Sequence, residues 1–233
     1  MDAYNSEKGF SLIEVLVAVA IVAILAGAIT PLVLKYIGDA RSARALSDAR
    51  TMGQAIIAFN LDTGRWPVSN DGNLNDNGEL SRLVGLANSD ITAANIPPGA
   101  GVATGDGNWD GGGSGGTGGA IEDFLKFNAD ADTDPLYATS NNPAVAPGWD
   151  GPYVQDVPSD PWGNPYVVNI RYLDGGGVTG ATSTEERDHA VFILSAGANG
   201  QFETSFDDAT GLSNDAMGGD DVGWMIEGRA TAP

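Results

Sequence analysis

The chain has 233 residues, with 31 Asp and Glu against 11 Lys and Arg, a formal net charge of −20, and no cysteine. That length admits one domain of ordinary size beside a membrane anchor, and the absence of thiols excludes a disulfide-stapled fold. A surface of that sign repels nucleic acid and favours divalent cations, although solubility alone accounts equally well for most of the acidic residues.

Residues 10–29 read FSLIEVLVAVAIVAILAGAI behind a short polar leader, residues 1–9. Twenty helical residues span roughly 30 Å, the hydrocarbon thickness of a bilayer. The run has no polar face, so it reads as a membrane segment rather than the core helix of a soluble domain. Its one charge is Glu14. An ionisable group among membrane residues costs about 2.5–3.5 kcal/mol on insertion scales and needs a partner. No Lys or Arg lies between Phe10 and Pro31, so the cation must come from elsewhere. A cut between Gly9 and Phe10 would create an α-amine with an ordinary pKa of about 7.7–8.0. On a neighbouring copy, that amine can pair with Glu14 and set the register of one helix on the next, as a single buried polar group does in a coiled coil.

The string KGFSLIEVLVAVAIVAILAGAITP, residues 8–31, resembles the class III signal of type IV pilins and pseudopilins. The resemblance implies cleavage after Gly9 by a prepilin peptidase, N-methylation of Phe10, a guiding role for Glu14 in filament assembly, and a helix-kinking proline at Pro31. An ordinary secretory signal is cut behind its apolar run, whereas here the cut falls in front and the helix stays in the mature protein. The expected organisation is a leader over residues 1–9, a transmembrane and assembly helix over 10–31, a stalk helix over 32–64 and a globular head over 65–233.

After Pro31 the helical pattern continues, with Ala40, Ala43, Leu46, Ala49, Met52, Ile56 and Phe59 at steps of three and four. The stripe is heavier from Met52 onward, which suits a far half packed on a head and a near half packed on other helices. Gly64 suits a left-handed C-cap, and Pro67 prevents continuation. Gly38 and Gly53 each cost an isolated helix roughly 1 kcal/mol, so close packing is expected there.

Residues 68–148 form a Gly-, Asn- and Asp-rich insertion, in which nine of the fifteen residues 105–119 are Gly. This run is expected to be loop laid over the head rather than core. Residues 80–86 and 121–127 read as single helical turns. Asp130, Asp132 and Asp134 have the spacing that opens an EF-hand loop, but Pro135 stands where Gly is needed and Asn141 where a bidentate Glu is needed. Asp71, Asn73, Asn75 and Asn77 fail the same test, and a solvated turn accounts for them.

Order is expected to return at Trp149. Pro161, Gly163 and Pro165 make a tight corner, followed by a strand through residues 166–170 and a second over residues 190–195, forming an antiparallel pair on the distal helix. Trp162 and Tyr166 read as core residues. The fold class is α+β: a long N-terminal helix on a small antiparallel sheet with long Gly- and Asp-rich loops. The single His, His189, lacks a Cys partner, and no catalytic role is expected.

The strings GPYVQDVPSDPWGNPYVV, FILSAGANGQFET and GGDDVGW resemble, in that order, the head of the major pseudopilin of type II secretion systems. The resemblance implies a C-terminal loop folded around calcium, with Asn199, Asp220 and Asp221 as ligands and main-chain carbonyls near Leu194 and Ser195. Asn199 stands where that family usually has Asp, and the loop between Gln201 and Gly219 is longer than the family pattern. Its Glu203, Asp207, Asp208 and Asp215 are candidate substitute ligands. The resemblance further implies a homopolymeric filament, processing by a prepilin peptidase and N-methyltransferase, contacts with an inner-membrane assembly platform and minor pseudopilins, and a periplasmic head. The alternatives are a subunit of a pilus-like surface fibre and a monomeric membrane-tethered cation- or ligand-binding module.

Overall fold

The structure, a computed structural model, describes residues 9–67, 80–86, 91, 94–99, 109, 117–128, 137, 148–173, 190–206 and 217–227. It comprises two compact units, Met1–Arg41 and Ser42–Pro233. One helix, α1 (Leu12–Thr63), belongs to both. It starts where Ser11 caps the first turn: the Glu14 amide meets the Ser11 hydroxyl at 3.3 Å and its carbonyl at 3.1 Å. It ends as expected at Gly64, whose φ of 68° suits glycine, and the Gly64 amide donates to the Asn60 carbonyl at 2.8 Å. Pro31 lies inside α1 without ending it.

In the first unit the described residues are exposed and largely apolar, Phe10 at 82 % and Leu12 at 83 % among them. In the second unit, α1 buries Ala45, Ala49, Met52, Gly53, Ala55, Ile56 and Phe59. Met52, Ile56 and Phe59 are the heavier half of the expected stripe; of its earlier positions Ala49 is buried, Leu46 is half-buried and Ala43 is exposed.

The head carries a five-stranded sheet in the order β2-β1-β3-β4-β5, formed by β1 (Leu80–Val84), β2 (Thr117–Ala120), β3 (Val167–Val168), β4 (Val191–Ser195) and β5 (Val222–Glu227). The expected pair is present as antiparallel β3 and β4. The sheet is nevertheless mixed rather than wholly antiparallel, because β1 runs parallel to β2. Residues 80–84 form a strand, not the expected helical turn. Leu80, Leu83 and Val84 have helical spacing, but β1 lies between two neighbours with every residue buried, and such a strand shows no two-residue alternation. The expected turn over residues 121–127 is helical, ending in a π-helical turn, Asp123–Phe127. The strand expected through residues 166–170 shortens to Val167–Val168, because the chain winds into a 3-10 turn at Ile170–Tyr172.

The glycine-rich run also departs from expectation. Part of it forms β2, and Trp109 is fully buried. The indole stacks on Phe202 at 5.1 Å and meets Phe206 edge-on at 5.0 Å, so burial of one large ring offsets chain entropy that glycines cannot. Tyr166 is core as expected, whereas Trp162 is only half-buried. Gly53 lies where α1 meets β5: a Cβ there would come within 2.8 Å of the Trp224 ring. Asp71, Asn73, Asn75, Asn77, Asp130, Asp132, Asp134, His189, Asp207, Asp208 and Asp215 lie outside the described residues.

Candidate functional site: the C-terminal loop and the N-terminal segment

β4 and β5 bring together two arms of chain, residues 196–206 and 217–221. Their register pairs Ser195 with Val222 and Leu194 with Gly223. Leu194 and Ser195 thus close the ladder just before the first arm begins. The arms approach so closely at Gly197 that a Cβ there would lie 2.2 Å from the Asp220 carbonyl oxygen.

Two adjacent carboxylates then fasten the arms by their Oδ2 atoms. Asp220 Oδ2 accepts the amides of Ala198 at 2.7 Å and Asn199 at 3.0 Å. Asp221 Oδ2 accepts those of Glu203 at 2.9 Å and Thr204 at 2.7 Å. Asn199 Oδ1 accepts the Gln201 amide at 2.7 Å, and its Nδ2 donates to Glu203 Oε1. Glu203 Oε2 accepts the Asp220 amide at 3.3 Å. The structure therefore gathers Asn199, Asp220 and Asp221, with Glu203, into one loop. The Ser195 hydroxyl is committed elsewhere: it donates to Asp160 Oδ2 at 2.6 Å and accepts the Gly197 amide at 3.2 Å.

Burial pushes the Asp221 carboxyl up to about 6, against the hydrogen bonds from Thr204 and Glu203, and the Glu203 charge pushes in the same direction as burial. Asp220 Oδ1 and Asp221 Oδ1 are both buried without a protein partner. Orphaned carboxylate oxygens side by side in sequence are the donors that a hard, oxygen-seeking cation satisfies. Among the described residues, no three His, Cys, Asp or Glu side chains form a closed cage. A cation held here would therefore need main-chain carbonyls and water to complete its six to eight oxygens. The donor chemistry fits calcium and does not suit a soft metal.

Two supports of this loop escaped sequence reasoning. Asp160, in the proline corner and 4 % exposed, accepts Trp162 and Asn164 amides at 3.0 and 2.7 Å as well as the Ser195 hydroxyl. The DPWGNP string marks the corner but not its distant partner. The second support is the insertion itself. The Trp109 indole donates to the Thr204 carbonyl at 2.7 Å, and the Phe202 amide donates to the Pro98 carbonyl at 2.9 Å. A lone Trp in a glycine run was the only available signal.

At the other end, Gly9 and Phe10 precede the helix, with nothing within 4 Å of a Cβ on Gly9. Glu14 lies exposed in the first turn of α1, and Pro31 lies further along it. Among the described residues, α1 contains the only stretch long and apolar enough to cross a membrane.

Residues 4–30 match the prokaryotic N-terminal methylation motif, and residues 130–210 match the protein G domain of the type II secretion system. The chain is 24 % identical to type II secretion system core protein G of Escherichia coli over 216 residues, covering 91 % of this chain and 97 % of the relative. Against the core protein G of Aeromonas hydrophila it is 23 % identical over 166 residues, 70 % of this chain and 72 % of that one. A type IV major pilin of Neisseria gonorrhoeae is 36 % identical over 64 residues, 28 % of this chain and 39 % of the pilin. No solved structure matches the chain. The methylation-type N-terminus, the long apolar helix and the α+β head define the class, a type IV pilin-like protein with a single membrane anchor. Within that class the chain is similar to core protein G of the type II secretion system over nearly its whole length.

Proposed function

We propose that the chain is a structural, non-catalytic subunit of a type II secretion pseudopilus. The observation that carries this reading is the alignment to core protein G over 91 % of the chain, against 28 % for the gonococcal pilin. A prepilin peptidase cuts after Gly9 and the new Phe10 terminus is methylated. The amine then pairs with Glu14 of a neighbouring copy while the helices bundle around Pro31. The head lies in the periplasm, and filament growth from an inner-membrane platform, with minor pseudopilins, moves folded proteins across the outer membrane.

Calcium belongs to the same reading. Asp220 and Asp221 would hold it through their unpartnered Oδ1 atoms, with Asn199 and the carbonyls of Leu194 and Ser195 as the further positions implied by the resemblance. The bound cation would supply positive charge to two buried carboxylates, and the chain's amides at Ala198, Asn199, Glu203 and Thr204 hold those carboxylates in place.

Deleting the gene and following secreted proteins tests the role. Loss of secretion, with no long surface fibres on overexpression, is expected; intact secretion with abundant surface fibres would transfer the chain to the pilus class. Cysteines placed near positions 10 and 14 should crosslink into ladders, which a monomeric tethered module would not give.

A further inference from the structure

Asn199 brings no charge to this loop. Its Oδ1 already accepts the Gln201 amide, and its Nδ2 is a donor that no cation can use. In the arm from Gly197 to Thr204 the only ionisable side chain is Glu203. That side chain ties both arms: one oxygen takes Asn199 Nδ2 and the other takes the Asp220 amide.

The chain makes room for it. A Cβ on Gly219, whose φ is 55°, would fall 2.0 Å from Glu203 Oε2, and a Cβ on Gly218 would fall 2.6 Å from the Glu203 carbonyl oxygen. Any residue other than glycine at position 219 would displace the carboxylate. The consecutive Gly218 and Gly219 therefore form a cradle for Glu203 immediately before the paired aspartates. The Glu203 amide itself donates to Asp221 Oδ2, so the residue touches Asn199, Asp220 and Asp221.

We propose that Glu203, rather than Asn199, is the residue of the first arm on which the cation site depends: it supplies that arm's only negative charge and holds Asn199 and the Asp220 main chain in place. It is a positioning residue, acting through Asn199 and Asp220. This rests on the calcium reading above.

The test is calcium titration by calorimetry of the full chain in detergent micelles, after chelation and dialysis, with near-ultraviolet circular dichroism to confirm folding. Charge count sets calcium affinity in oxygen-ligand loops, so Glu203→Gln is expected to weaken binding at least about tenfold. Returning the charge to the contacting position, in the double variant Asn199→Asp with Glu203→Gln, is expected to recover most of that loss. A role confined to loop packing would not produce such rescue. If the Glu203→Gln chain does not fold, Glu203→Asp, which keeps the charge, is expected to fold and bind, and its failure to bind would overturn the proposal. Undiminished binding by Glu203→Gln, or a loss that Asp at 199 does not rescue, would overturn the assignment of Glu203 while leaving calcium in place. No binding by the unsubstituted chain would overturn the calcium reading itself.

Discussion

Replacing Asp160 with Ala removes one carboxylate and leaves three donors without their acceptor: the amides of Trp162 and Asn164 and the hydroxyl of Ser195. The carboxylate is 4 % exposed, so little water reaches the site to replace it. Hydrogen bonds to a charged group contribute about 1.5–3 kcal/mol each, and neighbouring bonds share part of their effect, which gives a loss of about 3–5 kcal/mol. Asp160→Asn keeps one acceptor oxygen and the side-chain shape, and about 1–2 kcal/mol is expected for it. Small domains are stable by about 5–15 kcal/mol, so the Ala variant should move the denaturation midpoint visibly. The assay is guanidinium unfolding of the full chain in detergent micelles, followed by Trp fluorescence at fixed calcium. A loss below about 1 kcal/mol for Asp160→Ala would refute the claim that this residue ties the proline corner to β4.

Trp109→Ala should cost about 3–5 kcal/mol in the same assay, the range for emptying the site of a large buried ring. Gly53→Leu should cost about 1–3 kcal/mol or more, because the new side chain meets the Trp224 ring; Gly38→Ala, with open space around it, should leave head stability unchanged. Alkaline pH should destabilise the head. Burial raises the Tyr153 phenol to about 12, so above its ordinary value near 10 the unfolded chain ionises first, and stability present below pH 10 falls as pH rises through 12. Phenolate absorbance near 295 nm alongside unfolding curves checks this, and a Tyr153 that titrates normally in the folded head would contradict it. Chelation should lower the melting temperature of the unsubstituted chain, with no further effect on Asp220→Ala.

The long helix was legible because its signals are local. An apolar run with one charge and a Gly64 stop each act within a few residues. The β4 strand was legible too, lying next to the SAGANG turn. The strand at residues 80–84 was not, because burial on both faces erases the alternation that marks a strand, and its parallel partner lies in a glycine run with no strand propensity of its own. The candidate site divides in the same way. Asp220, Asp221 and Asn199 were reached through the resemblance of the C-terminal strings, but Asp160 and Trp109 act across 35 and 95 residues of chain, on Ser195 and Thr204, and no spacing rule reaches that far. Glu203 was visible as one of four acidic candidates. The glycine cradle that holds it was not.

The uncovered apolar helix of the first unit also sets a constraint on the life of the molecule. A surface of that kind is insoluble by itself, so no stage from synthesis to assembled polymer leaves it bare in water. Recruitment is thus an exchange of one oily solvent for another, lipid for neighbouring helices, and the net hydrophobic driving force for that exchange is close to nothing. Close packing and polar contacts between helices are what then tip the balance. On the proposed assembly, Glu14, the single charge between Phe10 and Pro31, would be unwelcome in hydrocarbon and satisfied beside an amine, so that the direction of travel, out of the bilayer and into the polymer, would depend in part on one carboxylate.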